Sequence, residues 1–194
     1  MRVRGWAVSL GGVAWLAGIL ILELAYDSSQ DDLPTSFPIL ALVAGLAIGW
    51  GCWTSASNLE SRIGRIGLRS VGGCSLVLGV GFGLDLIPDM FLAFLLTYTV
   101  GLFLLPVAFL VFGIGVTGST VYPGWAKWLP YAIFATAVIP YGFHALARDV
   151  WDPSDAVWFG ALGLGWVILG IAITSIRNPE IPQEAEDRPL APAR

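Results

Sequence analysis

Charged side chains are scarce in this sequence. They make up 12% of its 194 residues, against roughly 25% in an ordinary soluble domain. Hydrophobic residues account for 56%, and the mean hydropathy is +0.76. Such a composition is typical of polytopic membrane proteins. The net charge of −4 leaves no basic stripe for phosphate groups, which excludes nucleic acid as a partner.

Residues that carry catalysis or bind metals are also few. The sequence has one histidine and two cysteines, Cys52 and Cys74, which both fall within apolar runs. This predicts buried thiols, with neither a disulfide framework nor a metal site. No H-E-x-x-H, P-loop, G-x-S-x-G or C-x-x-C motif occurs. We therefore expect no metal and no cofactor, and the missing motifs favour a non-enzymatic role.

Long apolar runs dominate the chain. The run from Met90 to Ser119 contains no Asp, Glu, Lys, Arg or His, and it exceeds the roughly 20 residues that a helix needs to cross a bilayer. Similar runs predict an all-α, polytopic bundle within residues 1–177, followed by a disordered tail over 178–194. The six predicted transmembrane helices are 5–25, 37–57, 66–87, 90–117, 125–147 and 156–176.

The basic residues predict the orientation of these spans. With the N-terminus in the cytoplasm, nine of the ten Lys and Arg residues lie on the cytoplasmic side, and only Arg148 lies outside. The sequence thus predicts cytoplasmic N- and C-termini in a plasma membrane, with 27–36 and 149–155 external.

Small residues recur at helical spacing in several spans. A stripe of residues four apart puts small side chains on one face, where another helix can approach closely. The stripes are Ala41, Gly45 and Gly49 in the second span, Ser75, Gly79 and Gly83 in the third, and Ala161 and Gly165 in the sixth.

Four ionisable residues map to the outer third of the predicted membrane or its outer interface: Glu23, Asp85, His144 and Arg148. If their helices converge, they form an outward-facing polar cluster that could bind a cation or relay a proton. The alternative is that each side chain separately reaches headgroups and water.

Residues 57–69 form a basic, amphipathic stretch. Arg62, Arg65 and Arg69 share one helical face, and Leu59, Ile63 and Ile66 share another. Such a segment can lie in the membrane interface and bind anionic lipid headgroups through its arginines. A plain basic loop that follows the topology rules is the alternative.

Prolines interrupt two of the predicted spans. Pro106 lies inside the fourth and Pro140 inside the fifth, and each removes a backbone hydrogen bond. Hydroxyl groups of Thr97 and Tyr98 lie near the first break. Broken helices form substrate sites in many transporters, so these residues are candidates for a transport route.

The loop Gly118 to Leu129 resembles the inter-helix loop of small bacterial multi-pass membrane proteins of unknown function. The resemblance rests on Pro123-Gly124-Trp125 followed by a helix that bears Trp128. It implies a turn with interfacial tryptophans in a bacterial or archaeal membrane, and it carries no activity.

These features leave three functional hypotheses. The first is an accessory or structural subunit or small membrane sensor, with membrane lipids, further copies or a larger membrane complex as partners. The second is a small transporter or channel for an ion or solute, acting as an oligomer. The third is an intramembrane enzyme that uses Asp85 and His144.

Overall fold

The structure is a computed structural model, and it describes residues 2–25, 35–84, 86–87, 91–136 and 155–176. These residues form helices and connections, without a strand among them. The helices, numbered in chain order, are α1 (Arg2–Ala25), α2 (Ser36–Ser55), α3 (Arg62–Leu84), α4 (Phe91–Tyr98), α5 (Leu105–Thr117), α6 (described over 129–136) and α7 (Asp155–Thr174). Short 3-10 turns cover Ala56–Asn58 and Gly124–Ala126, and a π-helical segment, Thr99–Leu104, joins α4 to α5.

Four segments are long and apolar enough to cross a membrane: Val3–Leu22, Ser36–Asn58, Arg62–Leu84 and Leu95–Thr117. They correspond to the first four predicted spans. Helix α7 contributes a shorter apolar stretch, Phe159–Thr174. The fifth predicted span begins with a 3-10 turn and becomes α-helical at residue 129, and its part beyond 136 lies outside the described residues. Six crossings therefore remain a prediction, as does the tail over 178–194, which also lies outside the described residues.

Helix α3 starts earlier than predicted, because Ser61 caps it. The Ser61 hydroxyl accepts a hydrogen bond from the backbone N–H of Gly64, at 3.3 Å, which satisfies one of the free donors of the first turn. The three arginines of the basic stretch therefore lie on the first two turns of a long apolar helix, and the residues before them form the 3-10 turn Ala56–Asn58.

The predicted stripes of α2 and α3 face each other. A Cβ atom added at Gly45 would lie 2.6 Å from the carbonyl oxygen of Ser75, and one at Gly79 would lie 2.8 Å from that of Ala41. Both distances are shorter than real Cβ contacts, so the two backbones touch where only glycine fits. The close packing predicted for these stripes is confirmed.

A second close contact, between α1 and α7, was not predicted. Gly5 and Gly12 of α1 have α7 atoms where a Cβ would stand, and Gly170 of α7 has atoms of Ser9 and Gly5 there. The Ser9 hydroxyl also donates a hydrogen bond to the carbonyl of Val167, at 3.1 Å. The first and last described helices are therefore neighbours.

The α4–α5 segment runs antiparallel to α3. Gly81, late in α3, approaches Thr97, whereas Gly64, early in α3, approaches Gly115 of α5. The segments that correspond to the third and fourth predicted spans therefore form an antiparallel helical hairpin. Pro106 is buried in the first turn of α5, and the π-helical segment directly precedes it.

This arrangement has a steric reason. A proline ring clashes with the carbonyl group four residues earlier, which belongs to Leu102 within the π-helical segment. A wider turn removes that clash. The interruption predicted from Pro106 is present, in the form of a π-helical insertion.

An aromatic cluster fills the bundle at the end where α2 and α7 begin. It consists of Trp15, Phe37, Phe82 and Phe159, from four different helices. The Phe82 ring lies edge-on to Trp15 and Phe37, with centroids 5.6 and 5.1 Å apart, and 6.2 Å from Phe159. The Trp15 indole N–H donates to the carbonyl of Phe159, at 3.0 Å. These contacts link α1, α2, α3 and α7 around one core.

Candidate functional site

The predicted outer polar cluster falls largely outside the described residues. Asp85, His144 and Arg148 are not among them, and Glu23 is described only as backbone of α1. Their convergence stays a prediction. At this end of the bundle the aromatic cluster occupies the space between α1, α2, α3 and α7.

The opposite end of the bundle carries the described basic residues. Arg4, near the start of α1, donates a hydrogen bond to the carbonyl of Thr54 near the end of α2, at 3.0 Å. Arg62, Arg65 and Arg69 follow on α3 at spacings of three and four, so they share one face. Arg62 and Arg69 are exposed and Arg65 is half-buried. We call this the basic end; its binding of lipid headgroups stays a prediction.

The loop 118–128 is fastened to the basic end by Glu60. One carboxylate oxygen accepts the backbone N–H of Thr120, at 3.2 Å, and the other accepts its hydroxyl, at 2.6 Å. These hydrogen bonds favour the ionised carboxyl and hold its pKa below the ordinary value, with a smaller contribution from the charge of Lys127. Sequence reasoning missed Glu60, because nothing near it in the chain marks Thr120 as its partner.

This contact should make loop docking dependent on pH. The pKa of Glu60 is lower in the folded state than in the unfolded state, where it is about 4.3. The ionised carboxylate therefore stabilises loop docking fully at a pH above the unfolded-state pKa, and this stabilisation is lost as the pH falls through the folded-state pKa. The Thr120 amide resonance, followed by NMR in nanodiscs, should shift over that acidic range. The shift should be absent in Glu60→Gln, and its midpoint should move upward in Thr120→Val. A Thr120 shift that persists in Glu60→Gln would assign the titration to another group.

Tyr122 anchors the same loop inside the bundle. The side chain is only 2% exposed, and its ring lies edge-on to Phe112 with centroids 5.7 Å apart. Its backbone N–H donates to the Ser119 hydroxyl, at 3.2 Å, and burial raises the pKa of its phenol. Trp125 and Trp128 are 60% and 71% exposed. The turn is thus built around Tyr122, which the resemblance did not single out, and the two tryptophans point outward.

A lateral groove of about 430 Å³ lies on the outward face of α3. Its floor consists of small residues of α3, and larger side chains of α2 and the π-helical segment flank it. The lining residues are Trp53, Ile66, Arg69, Ser70, Gly73, Cys74, Val77, Val100 and Leu104. Arg69 supplies the only charge in this lining, and its guanidinium carbon lies 5.7 Å from the centroid of the Trp53 ring, within the range of a cation–π interaction.

The candidate transport residues are only partly described. The Thr97 hydroxyl is buried and has no hydrogen-bond partner among the described residues. It lies 2.7 Å from the position that a Cβ atom of Gly81 would take. Tyr98 ends α4, with its side chain outside the description, and Pro140 lies outside the described residues. The structure therefore brings Thr97 close to the π-helical segment and leaves the role of Pro140 untested.

Metal ligands do not gather in the described part of the chain, where no three His, Cys, Asp or Glu side chains lie together. Comparison with protein-family models, curated proteins and solved structures gives no match for this chain.

Proposed function

We propose that the protein is a non-enzymatic helical bundle of the cytoplasmic membrane, acting as an accessory or structural subunit or as a small sensor. The main support is the backbone contact between neighbouring helices. At Gly45 with Gly79, and at Gly64 with Gly115, the backbones meet without intervening side chains. Helices packed in this way leave little room for a solute between them, and they suit a rigid scaffold.

The proposed topology has six crossings with both termini in the cytoplasm. In support, Arg4, Arg62 and Lys127 lie toward one end of the bundle, as the contacts of Arg4 with Thr54 and of Glu60 with Thr120 indicate. Basic residues concentrate on the cytoplasmic side of bacterial membrane proteins. The basic end is therefore proposed to face the cytoplasm, near anionic headgroups.

Transport is the second candidate, and the π-helical segment favours it. Such insertions occur frequently at functional sites, and this one begins two residues after Thr97. The Thr97 hydroxyl is buried and has no partner within the part of the chain that the structure describes. A polar group of this kind could contact a permeating solute when the bundle opens. The enzyme hypothesis rests on Asp85 and His144, and both lie outside the described residues.

A flux measurement separates these candidates. The full-length protein in phosphatidylcholine vesicles should leave proton and potassium permeability at the level of protein-free vesicles, because the described helices are closely packed. Any protein-dependent flux would contradict the accessory role. Loss of that flux in Thr97→Val, which removes the hydroxyl at similar volume, would assign the route to the π-helical segment.

A further inference from the structure

We infer that the lateral groove binds an anionic phospholipid from the surrounding bilayer, with the phosphate at Arg69 and one acyl chain over Gly73. This goes beyond the proposed function, because it applies equally to a subunit, a sensor or a transporter. The sequence predicts headgroup binding by three arginines, Arg62, Arg65 and Arg69. The inference assigns the phosphate to Arg69 alone and places the acyl chain along α3 over Gly73.

The floor of the groove is open to an outside molecule. A Cβ atom added at Gly73 would meet nothing within 4 Å, unlike those at the neighbouring α3 glycines Gly72 and Gly67. Ser70 and Cys74 continue this floor with small side chains, while Trp53 and Leu104 rise beside it and are 57% and 51% exposed. The recess therefore has apolar walls of the kind that an acyl chain can contact.

The charge at the mouth of the groove favours an anion. The guanidinium of Arg69 lies over the ring of Trp53, and no other described residue forms a hydrogen bond or ion pair with its N–H groups. An arginine fork matches the geometry of a phosphate and binds it bidentately.

The dimensions agree with a lipid chain. From Arg69 to Val77 the helix rises about 12 Å, close to the roughly 15 Å depth of one leaflet of the hydrocarbon core. The volume of about 430 Å³ lies within the range of roughly 300 to 1,000 Å³ for small-molecule sites.

Photo-crosslinking tests the site directly. The probe is phosphatidylglycerol with a diazirine in one acyl chain, added to the full-length protein in phosphatidylcholine nanodiscs. We expect crosslinks at the α3 residues Ser70 to Val77. A phosphatidylcholine probe with the same acyl chains should label them about five-fold less, because one arginine near the surface contributes about 1 kcal/mol to binding an anionic lipid.

Two variants separate the headgroup contact from the acyl path. Arg69→Gln should reduce labelling by the phosphatidylglycerol probe about five-fold, whereas Lys127→Gln, which removes a charge at the same end but away from the groove, should not change it. Gly73→Leu should abolish labelling by both probes, because its side chain fills the recess. Its melting temperature, measured beside that of Gly73→Ala, verifies that the bundle remains folded.

Three outcomes would overturn the inference. Equal losses in Arg69→Gln and Lys127→Gln would indicate general surface electrostatics. Unchanged labelling in a folded Gly73→Leu would mean that the chain lies elsewhere. A protein dimer that Gly73→Leu dissociates, with no lipid crosslink in the wild type, would mean that a second copy covers the groove.

Discussion

Replacing Gly67 with alanine should lower the melting temperature of the bundle, whereas the same change at Gly73 should leave it unchanged or raise it. Both glycines lie in α3. A Cβ at Gly67 would collide with the backbone nitrogen and Cα of Phe112 on α5, while one at Gly73 would enter open space. Overpacking of this kind costs about 1 to 3 kcal/mol. Alanine in open space instead gains up to about 1 kcal/mol in helix propensity over glycine.

Thermal unfolding in detergent measures the difference, which should be on the order of 5 °C. A thiol reagent gives a second readout, because Cys52 is fully buried and Cys74 is partly exposed. In a Cys74→Ser background, Gly67→Ala should expose Cys52 at a lower temperature than Gly73→Ala. An equal decrease in melting temperature in both variants would contradict this prediction. It would mean that backbone flexibility explains the need for glycine, and that the space available to a Cβ atom does not.

Removing the ring of Trp15 should destabilise the bundle strongly, whereas removing that of Trp6 should matter little. The two tryptophans lie on α1 and differ in exposure, 2% for Trp15 and 58% for Trp6. Trp15 also contacts Phe82 and donates to the carbonyl of Phe159. Loss of a buried tryptophan costs about 3 to 5 kcal/mol in soluble cores. We expect a value near the lower limit, because the surrounding lipid is itself apolar.

The variant Trp15→Phe separates the contribution of the aromatic ring from that of the indole hydrogen bond. It retains an aromatic ring and removes the indole N–H, so it should cost about 1 kcal/mol, the typical net value of one hydrogen bond. Unfolding in detergent, followed by circular dichroism, should rank the variants Trp15→Ala, Trp15→Phe and Trp6→Ala from least to most stable. A Trp15→Ala variant as stable as Trp6→Ala would contradict the aromatic cluster.

The sequence was most informative where the spacing of residues within one helix was enough to predict which of its faces packs closely. The spacing of Gly45 and Gly49, and of Ser75 and Gly79, marks one face of each helix, and these faces meet. Length and hydropathy likewise predicted six spans, and the first four correspond to segments that are long and apolar enough to cross a membrane. Helix α3 starts at Arg62, four residues before the predicted start of the third span, and Ser61 caps its first turn. Long arginine side chains can reach water from within such a helix.

Contacts between distant segments could not be predicted in the same way. Gly165 was singled out by spacing, yet it approaches Ile133 of α6, while Gly163 approaches Leu16 of α1. Both glycines lie on α7. The spacing of residues within one helix identifies a face, but it does not show which other helix packs against that face. The lateral groove was missed for a related reason, since its residues come from three separate segments. The outer polar cluster remains a prediction.

The pairing of α1 with α7 has a consequence for biosynthesis. The hydrogen bond from Ser9 to Val167 spans 158 residues, so at about 5 to 20 residues per second the ribosome needs roughly 8 to 30 s to supply the partner strip of α1. Until α7 has been made, the face of α1 that carries Gly5 and Gly12 lacks this partner, whereas α2 and α3 have already been synthesised. The contact between α1 and α7 is completed only after α7 has been synthesised, so the nascent chain passes through a long stage at which another helix with a small-residue face could occupy that position.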